Sequence, residues 1–144
     1  VDDGIEFFDS NILIAASIPE HSHHRESLAR LTAVETGHAA CGAHSLAEAY
    51  NNLTNKSRGY GIPPADAARI IQHATRDFNV IALTPTETLQ TLDDASLHGI
   101  IGAMIYDALL LACARKANAK IIYTSNVKHF RRIAPDLAAI IVEP

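Results

Sequence analysis

Three acidic side chains stand where carboxylates can act together. Asp9 ends the apolar run Ile5–Phe8 in the stretch FFDSNILIAA, Glu48 lies in HSLAEAYNNL, and Asp107 interrupts IIGAMIYDALLLACA. Asp107 carries the most information, because its same-face neighbours Ala103, Leu110, Leu111 and Ala114 are apolar and no lysine or arginine lies within one helical turn. An isolated buried carboxylate costs several kcal/mol unless it is paired or holds a metal. Carboxylates from three separate segments form a set of hard oxygen donors that suits Mg2+ or Mn2+. Such ions bind through one or two carboxylates, keep several waters and take further oxygens from a substrate phosphate. Clustered acids also repel one another, which raises some of their pKa values and favours a cation. The chemistry is then water activation and charge neutralisation at a phosphodiester.

Each acid also has a purely structural reading. Asp9 or Ser10 can cap the short helix that follows. Ser45-x-x-Glu48 has capping-box spacing, which would hold the Glu48 carboxylate near a helix start. Asp107 can sit at a helix N-terminus or reach a distant ion pair. Asp9-Ser10-Asn11 differs from phosphatase motifs with two aspartates two residues apart, because Asn11 holds the second place.

The elements that must position these residues alternate along the chain. Ile5–Phe8, Ala39–Cys41, Asn79–Leu83, Lys120–Tyr123 and Ala138–Val142 read as short apolar strands. Helical patterns lie between them: a turn at Asn11–Ala16, then His23–Glu35 with Leu28, Leu31 and Val34 inward, Ser45–Thr54, and Ala65–Arg76. Asn55 to Pro64 is a loop with two glycines and two prolines. Thr84-Pro85-x-Glu87 carries the marks of a capping box with proline at the first helical position, opening a helix that stops at Gly99. A buried apolar helix around Asp107 follows to about Asn118, with Tyr106 read as core in preference to a stack on a base. Five strands joined through helices imply right-handed crossovers and a mostly parallel sheet covered on both faces, a three-layer α/β/α architecture. Working sites in such sheets lie beyond the carboxyl ends of the strands.

Composition bounds the rest. The chain has 144 residues, 12 basic and 16 acidic, for a net charge of −4. That length fits one domain, here 1–144, able to bury its own core. An apolar fraction of 48% with 19% charged residues excludes disorder. Overall acidity argues against a general basic nucleic-acid binder, although a cation converts a carboxylate nest into an anion-binding site. Cys41 and Cys113 are too few and too far apart for a disulfide framework or zinc knuckle, which implies a reduced, cytoplasmic protein. The sequence opens on Val1 rather than Met, and Asp2, Asp3 and Glu6 stand where a secretory leader carries basic residues. Ile100–Ala114, about 15 residues with a central aspartate, is shorter than the ~20 apolar residues of a membrane span.

The segments FFDSNILIAA, HSLAEAYNNLT and IYDALLLACARKANAKIIYTSNVKHF together resemble the PIN-domain ribonucleases, and among these the VapC-like toxins. The resemblance runs from about Ile5 to Val142. It implies a metal-dependent endoribonuclease with Asp9, Glu48 and Asp107 at the family's acidic positions. Asp9 and Asp107 would hold Mg2+ or Mn2+, and Glu48 would position or deprotonate the attacking water. The family often carries a fourth acid after the last-but-one strand. Here that stretch is Thr124-Ser125-Asn126, with His129 where an aspartate is often found, which puts a second metal in question. Asn126 would bond a water or orient Asp9. Ser10, Asn11, Thr124, Ser125, Lys128 and Arg131 are weaker candidates for substrate contact. The resemblance further implies an RNA substrate (tRNA by family precedent), a cognate antitoxin and a homodimer. An arginine from the antitoxin could fork onto Asp9 or Asp107 and compete with the cation.

Other residues compete for attention. Lys128, His129, Arg131 and Arg132 form the densest basic group, either a phosphate contact or a solvated helix face. Lys56 and Arg58 are candidates for substrate or partner contact. His21, His23 and His24 read as a solvated loop rather than a nickel or zinc site. Two rival classes stand beside the nuclease: a receiver-like signalling module, and a PIN-like scaffold that has lost catalysis. The first wants an aspartate after the third strand, where Leu83 and Thr84 stand instead.

Overall fold

Successive residues of a strand face opposite sides of a sheet, so an apolar run with no polar alternation must be covered twice. The computed structural model describes residues 4–144; Val1, Asp2 and Asp3, and with them most of the acidic opening read above, lie outside the described residues. Strands β1 (Ile5–Phe8), β2 (Ala39–Gly42), β3 (Asn79–Ile81), β4 (Ala119–Tyr123) and β5 (Ile141–Val142) form one parallel sheet in the order β3-β2-β1-β4-β5. Helices α1 (Ser10–Ser17), α2 (His24–Ala33), α3 (Ala43–Thr54), α4 (Pro64–Ala74), α5 (Pro85–Leu97), α6 (Met104–Lys116) and α7 (Val127–Ile133) connect the strands, with a 3-10 segment at Pro135–Ile140 before β5.

The two faces separate as alternation requires. Phe7, Ala40 and Ile122 pack with Leu110, Leu111 and Phe130 of α6 and α7. Phe8, Ala39, Cys41 and Tyr123 pack on the other side with Ile12 and Leu13 of α1, together with Leu31, Val34 and Leu46. A third cluster joins α1, α3 and α4 through Ile14, Ala49, Leu53 and Ala67. This is the three-layer fold expected from the strand–helix alternation. Its strand order differs from that of receiver-like modules, whose second strand lies at an edge beside the first.

Several local expectations need correction. Leu28 is 42% exposed, so α2 turns Leu31, Val34 and Ser27 inward instead. Tyr106 is 59% exposed rather than in the core, and Ile101 precedes α6 on the surface, so α6 buries one face only. The apolar stretch 138–142 is a strand over Ile141–Val142 alone, because Pro135 starts a 3-10 turn through Ile140. The capping box at Thr84 and Glu87 forms as expected, with both reciprocal bonds present. Lys116 then ties Glu87 and the Ala82 carbonyl to α6. Both cysteines are buried free thiols, and burial pushes Cys41 up to about 12. Among the described residues no helix is long and apolar enough to cross a membrane.

The loop from α3 to α4 is held by its own backbone. Asn55 Oδ1 accepts from the amides of Ser57 and Arg58, and its carbonyl accepts from the amides of Gly59 and Gly61. Tyr60 N–H donates to the Asn52 carbonyl at 3.2 Å. A Cβ at position 59 would collide with that same Asn52 oxygen, so only glycine permits the approach. Gly59→Ala should therefore destabilise the chain by roughly 1–3 kcal/mol, the usual cost of overpacking. Urea titration of both proteins checks this, and an unchanged midpoint would show the loop is not clamped.

Candidate active site

The chain leaves β1 outward to β2 and β3, then crosses back to β4 on the other side of β1. Connections thus diverge between β1 and β4, and ligands bind beyond the carboxyl ends of strands at such a switch point. Asp9 is the first residue past β1, and Thr124 the first past β4; the ladder continues through Asp9 N–H to the Tyr123 carbonyl at 3.0 Å. Asp9 occupies the N-cap position of α1 but makes no side-chain capping bond. Its Oδ2 instead accepts from the buried Thr124 hydroxyl at 2.8 Å. The Asn126 amide donates to that hydroxyl at 3.0 Å, so Asn126 supports Asp9 through its backbone and through Thr124. The direct bond to Asp9 comes from Thr124, with Asn126 one step behind it.

Asp9 is only 5% exposed, and among the described residues no lysine or arginine pairs with it. Desolvation raises its carboxyl from 3.8 to about 6, the Thr124 bond opposes the rise, and the nearby charges of Glu48 and Asp107 add to it. The electrostatics place three carboxylates within interaction range of one another. Ser10 links two of them, its hydroxyl lying 3.4 Å from Asp9 Oδ1 and 3.2 Å from Glu48 Oε2. One hydroxyl proton cannot satisfy two anions, so the arrangement favours a further proton or a cation between them.

Glu48 is held differently from the expectation. Helix α3 starts at Ala43 directly after β2, with Gly42 as N-cap, so Ser45 lies inside the first turn and caps nothing. The Ser45 hydroxyl is buried without a hydrogen-bond partner. Glu48 faces His44 one turn earlier, Oε1 to Nε2 at 3.3 Å. That contact is within ion-pair range but misses hydrogen-bond geometry, since His44 Nε2 has no bonded partner.

Asp107 is not an isolated buried carboxylate. It sits in the first turn of α6, where the helix dipole favours negative charge, and a third of its side chain is exposed. Its Oδ2 lies 2.9 Å from His129 Nε2 on α7. His129 is thus a partner of the acidic centre, where its basic neighbours suggested a phosphate contact or a solvated face. Arg131 is committed elsewhere, donating to the carbonyls of Ala138 and Ile141. Asn11 Oδ1 accepts from the Ser125 amide at 3.4 Å, which joins two further candidates across the β1–β4 edge. Lys128 is exposed on α7. Of the residues that matter here, His44 was missed; the His-x-x-x-Glu spacing on one helix face was the available signal.

Among the described residues, no three His, Cys, Asp or Glu side chains form a ready metal-binding group. Glu48 and Asp107 each turn toward a histidine instead. Such an open oxygen set still fits a hard cation that uses one or two carboxylates and retains water.

A parallel α/β sheet with paired acids at its switch point is the class that fold and site define. The chain belongs to the PIN domain family, whose profile matches residues 7–135. It is 31% identical over 114 residues to Ribonuclease VapC27 of Mycobacterium tuberculosis, covering 78% of this chain and 79% of that protein. Its fold is similar to the crystal structure of Mycobacterium tuberculosis VapC20, a Sarcin-Ricin loop cleaving toxin, with TM-score 0.68 and 19% identity over 96% of this chain and 99% of that one. A toxin–antitoxin complex from Klebsiella pneumoniae matches with TM-score 0.66 and 21% identity, covering 96% and 97%. VapBC2 from Rickettsia felis, bound to a DNA fragment from its promoter, matches with TM-score 0.64 and 20% identity, covering 96% and 98%.

The raised Asp9 carboxyl gives a pH prediction. The folded state holds this proton more tightly than the unfolded chain, so stability falls as pH rises from about 4 to about 6 and the penalty is complete above that. Without divalent cation, Asp9→Asn should be the more stable protein at neutral pH, by roughly 2–3 kcal/mol. The gap should close toward about pH 4, where both side chains are neutral. Denaturant titrations of the pair across that range check it; a gap that does not vary with pH contradicts it.

Proposed function

We propose that this chain is a divalent-metal-dependent endoribonuclease, the toxin of a toxin–antitoxin pair. The observation that carries the reading is the buried Asp9 carboxyl, raised by burial and by Glu48 and Asp107, with no lysine or arginine paired to it among the described residues. Membership of the PIN domain family and identity to a protein named a ribonuclease support the substrate class. Asp9 and Asp107 would hold Mg2+ or Mn2+, with Glu48 beside them. When bound, the ion supplies charge neutralisation at the scissile phosphate and acidifies water.

The residues of the chain divide the remaining work. Thr124 fixes one Asp9 oxygen and leaves the other facing Ser10. Glu48, tethered by Ser10, would orient a water and accept its proton. His129 holds Asp107 in one orientation. Ser10 is engaged in bridging Asp9 and Glu48, and direct hydrolysis without a covalent intermediate is the reaction class proposed. The substrate is RNA, with tRNA as one candidate. The cognate antitoxin, a homodimeric assembly and a cytoplasmic setting belong to the same proposal, supported by similarity to toxin–antitoxin proteins.

RNA cleavage should require Mg2+ or Mn2+ and stop with EDTA. Asp9→Asn and Asp107→Asn should each lower the rate by roughly 100-fold or more, the equivalent of several kcal/mol of lost charge stabilisation. Labelled RNA digests resolved on denaturing gels measure this. Full activity in either variant overturns the site assignment, and a protein that arrests growth regardless of the adjacent reading frame overturns the toxin role.

A further inference from the structure

Beside the acidic centre, and sharing Ser10 with it, lies a recess of ≈ 410 Å³ whose lining includes Asn11, His21, Asn52, Arg58 and Tyr60. A larger groove of ≈ 990 Å³ lies elsewhere, between α5, α6 and the Pro135 turn, and shares no residue with the acids. The smaller recess has the opposite character from its neighbour. No acid lines it, and among the described residues the Arg58 guanidinium has no carboxylate partner.

Its polar groups are already sorted into donors and acceptors. Asn11 Oδ1 accepts from the Ser125 amide, which leaves its NH2 to donate. Asn52 Nδ2 donates to the Glu48 carbonyl at 3.0 Å, which leaves its side-chain oxygen to accept. His21 Nδ1 accepts from the His23 amide at 3.0 Å, so the neutral ring carries its proton on Nε2. Tyr60 is 45% exposed, yet its backbone is fixed by the bond to Asn52 and by the clamped loop at Gly59. An aromatic face, a free cation, one amide donor and one amide acceptor are what a single unpaired nucleotide needs. The ring stacks the base, the amides read its edge, and the guanidinium meets phosphate. A docked peptide would instead want apolar anchor pockets, and Ile14 is the sole aliphatic side chain in this lining.

We propose that this recess binds one unstacked ribonucleotide of the substrate, next to the phosphodiester that is cut, an inference that rests on the ribonuclease reading. Because the recess adjoins the acids through Ser10 and Asn11, a nucleotide held there sets which linkage reaches Asp9. Its loss should appear in substrate binding and cleavage-site choice and leave the chemical step largely intact.

The test adds each of the four nucleoside monophosphates to the full chain in EDTA and follows the backbone amides by NMR. At least one nucleotide should shift the amides of Asn52 and Arg58–Gly61 saturably. Tyr60→Ala and Arg58→Ala should each weaken that binding roughly 10-fold, as loss of a base stack does elsewhere, whereas Tyr60→Phe should retain it. With Mn2+, Tyr60→Ala should raise KM for RNA by a similar factor and leave kcat within about twofold. If the wild type cleaves RNA but neither the shifts nor KM respond to these variants, the subsite is overturned and the nuclease reading stands. If the nucleotides bind but RNA is not cleaved with any divalent cation, the ribonuclease reading fails and the subsite as stated falls with it. If the variants abolish antitoxin binding while nucleotide shifts persist, the recess is a partner site and the proposal is overturned.

Discussion

Burying a carboxyl group at the centre of a parallel sheet constrains everything near it. Asp9 cannot avoid burial, since it follows the central strand β1 directly and lies under the start of α1. Thr124 offers it a strong bond, and among the described residues no basic side chain pairs with it. Two further acids on α3 and α6 then raise the cost instead of relieving it. A fold selected for stability alone would place an asparagine or a lysine there. Retaining the uncompensated charge is the kind of local inconsistency that marks a functional site, where a ligand completes the electrostatics.

The outer acids are managed by a different device. Glu48 and Asp107 each face a histidine, His44 one turn away on the same helix and His129 across on α7. These contacts steer the two carboxylates without the permanent charge an arginine would bring. An arginine in either place would occupy the oxygens a cation needs. The central acid is thus held by a neutral hydroxyl, Glu48 is tethered by Ser10 beside His44, and Asp107 is held by His129, so among the described residues no arginine or lysine occupies these oxygens. Basic side chains stand outside the acidic cluster: Arg58 lines the neighbouring recess, Lys128 is exposed on α7, and Arg131 closes the β5 end of the sheet. That separation reconciles an acidic chain with a polyanionic substrate.

Much of this was legible in the residues, and the failures share a cause. Strand β1 and the helix cap at Thr84 are specified locally, by a short apolar run ending at Asp9 and by proline at the first helical position. Ser45-x-x-Glu48 shows the same cap spacing and yet caps nothing, because α3 springs from β2 without a turn and begins two residues early. Only the tertiary path of the chain decides between them. Apolar periodicity likewise gave the existence of α2 and α6, but their apolar arcs are wide enough that Leu28 and Tyr106 end outside the core. The His129–Asp107 pair joins residues 22 apart on different helices, so no local pattern announces it. The Thr124–Asp9 bond spans 115 positions and depends on β1 and β4 being neighbours. The acids, and several of the residues beside them, could be named from the chain; which of these residues pairs with which acid across the fold could not.

The central claim is that Asp9 and Asp107 share a divalent cation at the β1–β4 edge. Crystals grown with Mn2+ and measured near the manganese absorption edge test it most directly. The account predicts an anomalous peak in contact with carboxylate oxygens of both Asp9 and Asp107. A map with no peak at that edge, or with manganese bound only at histidines elsewhere, would contradict it.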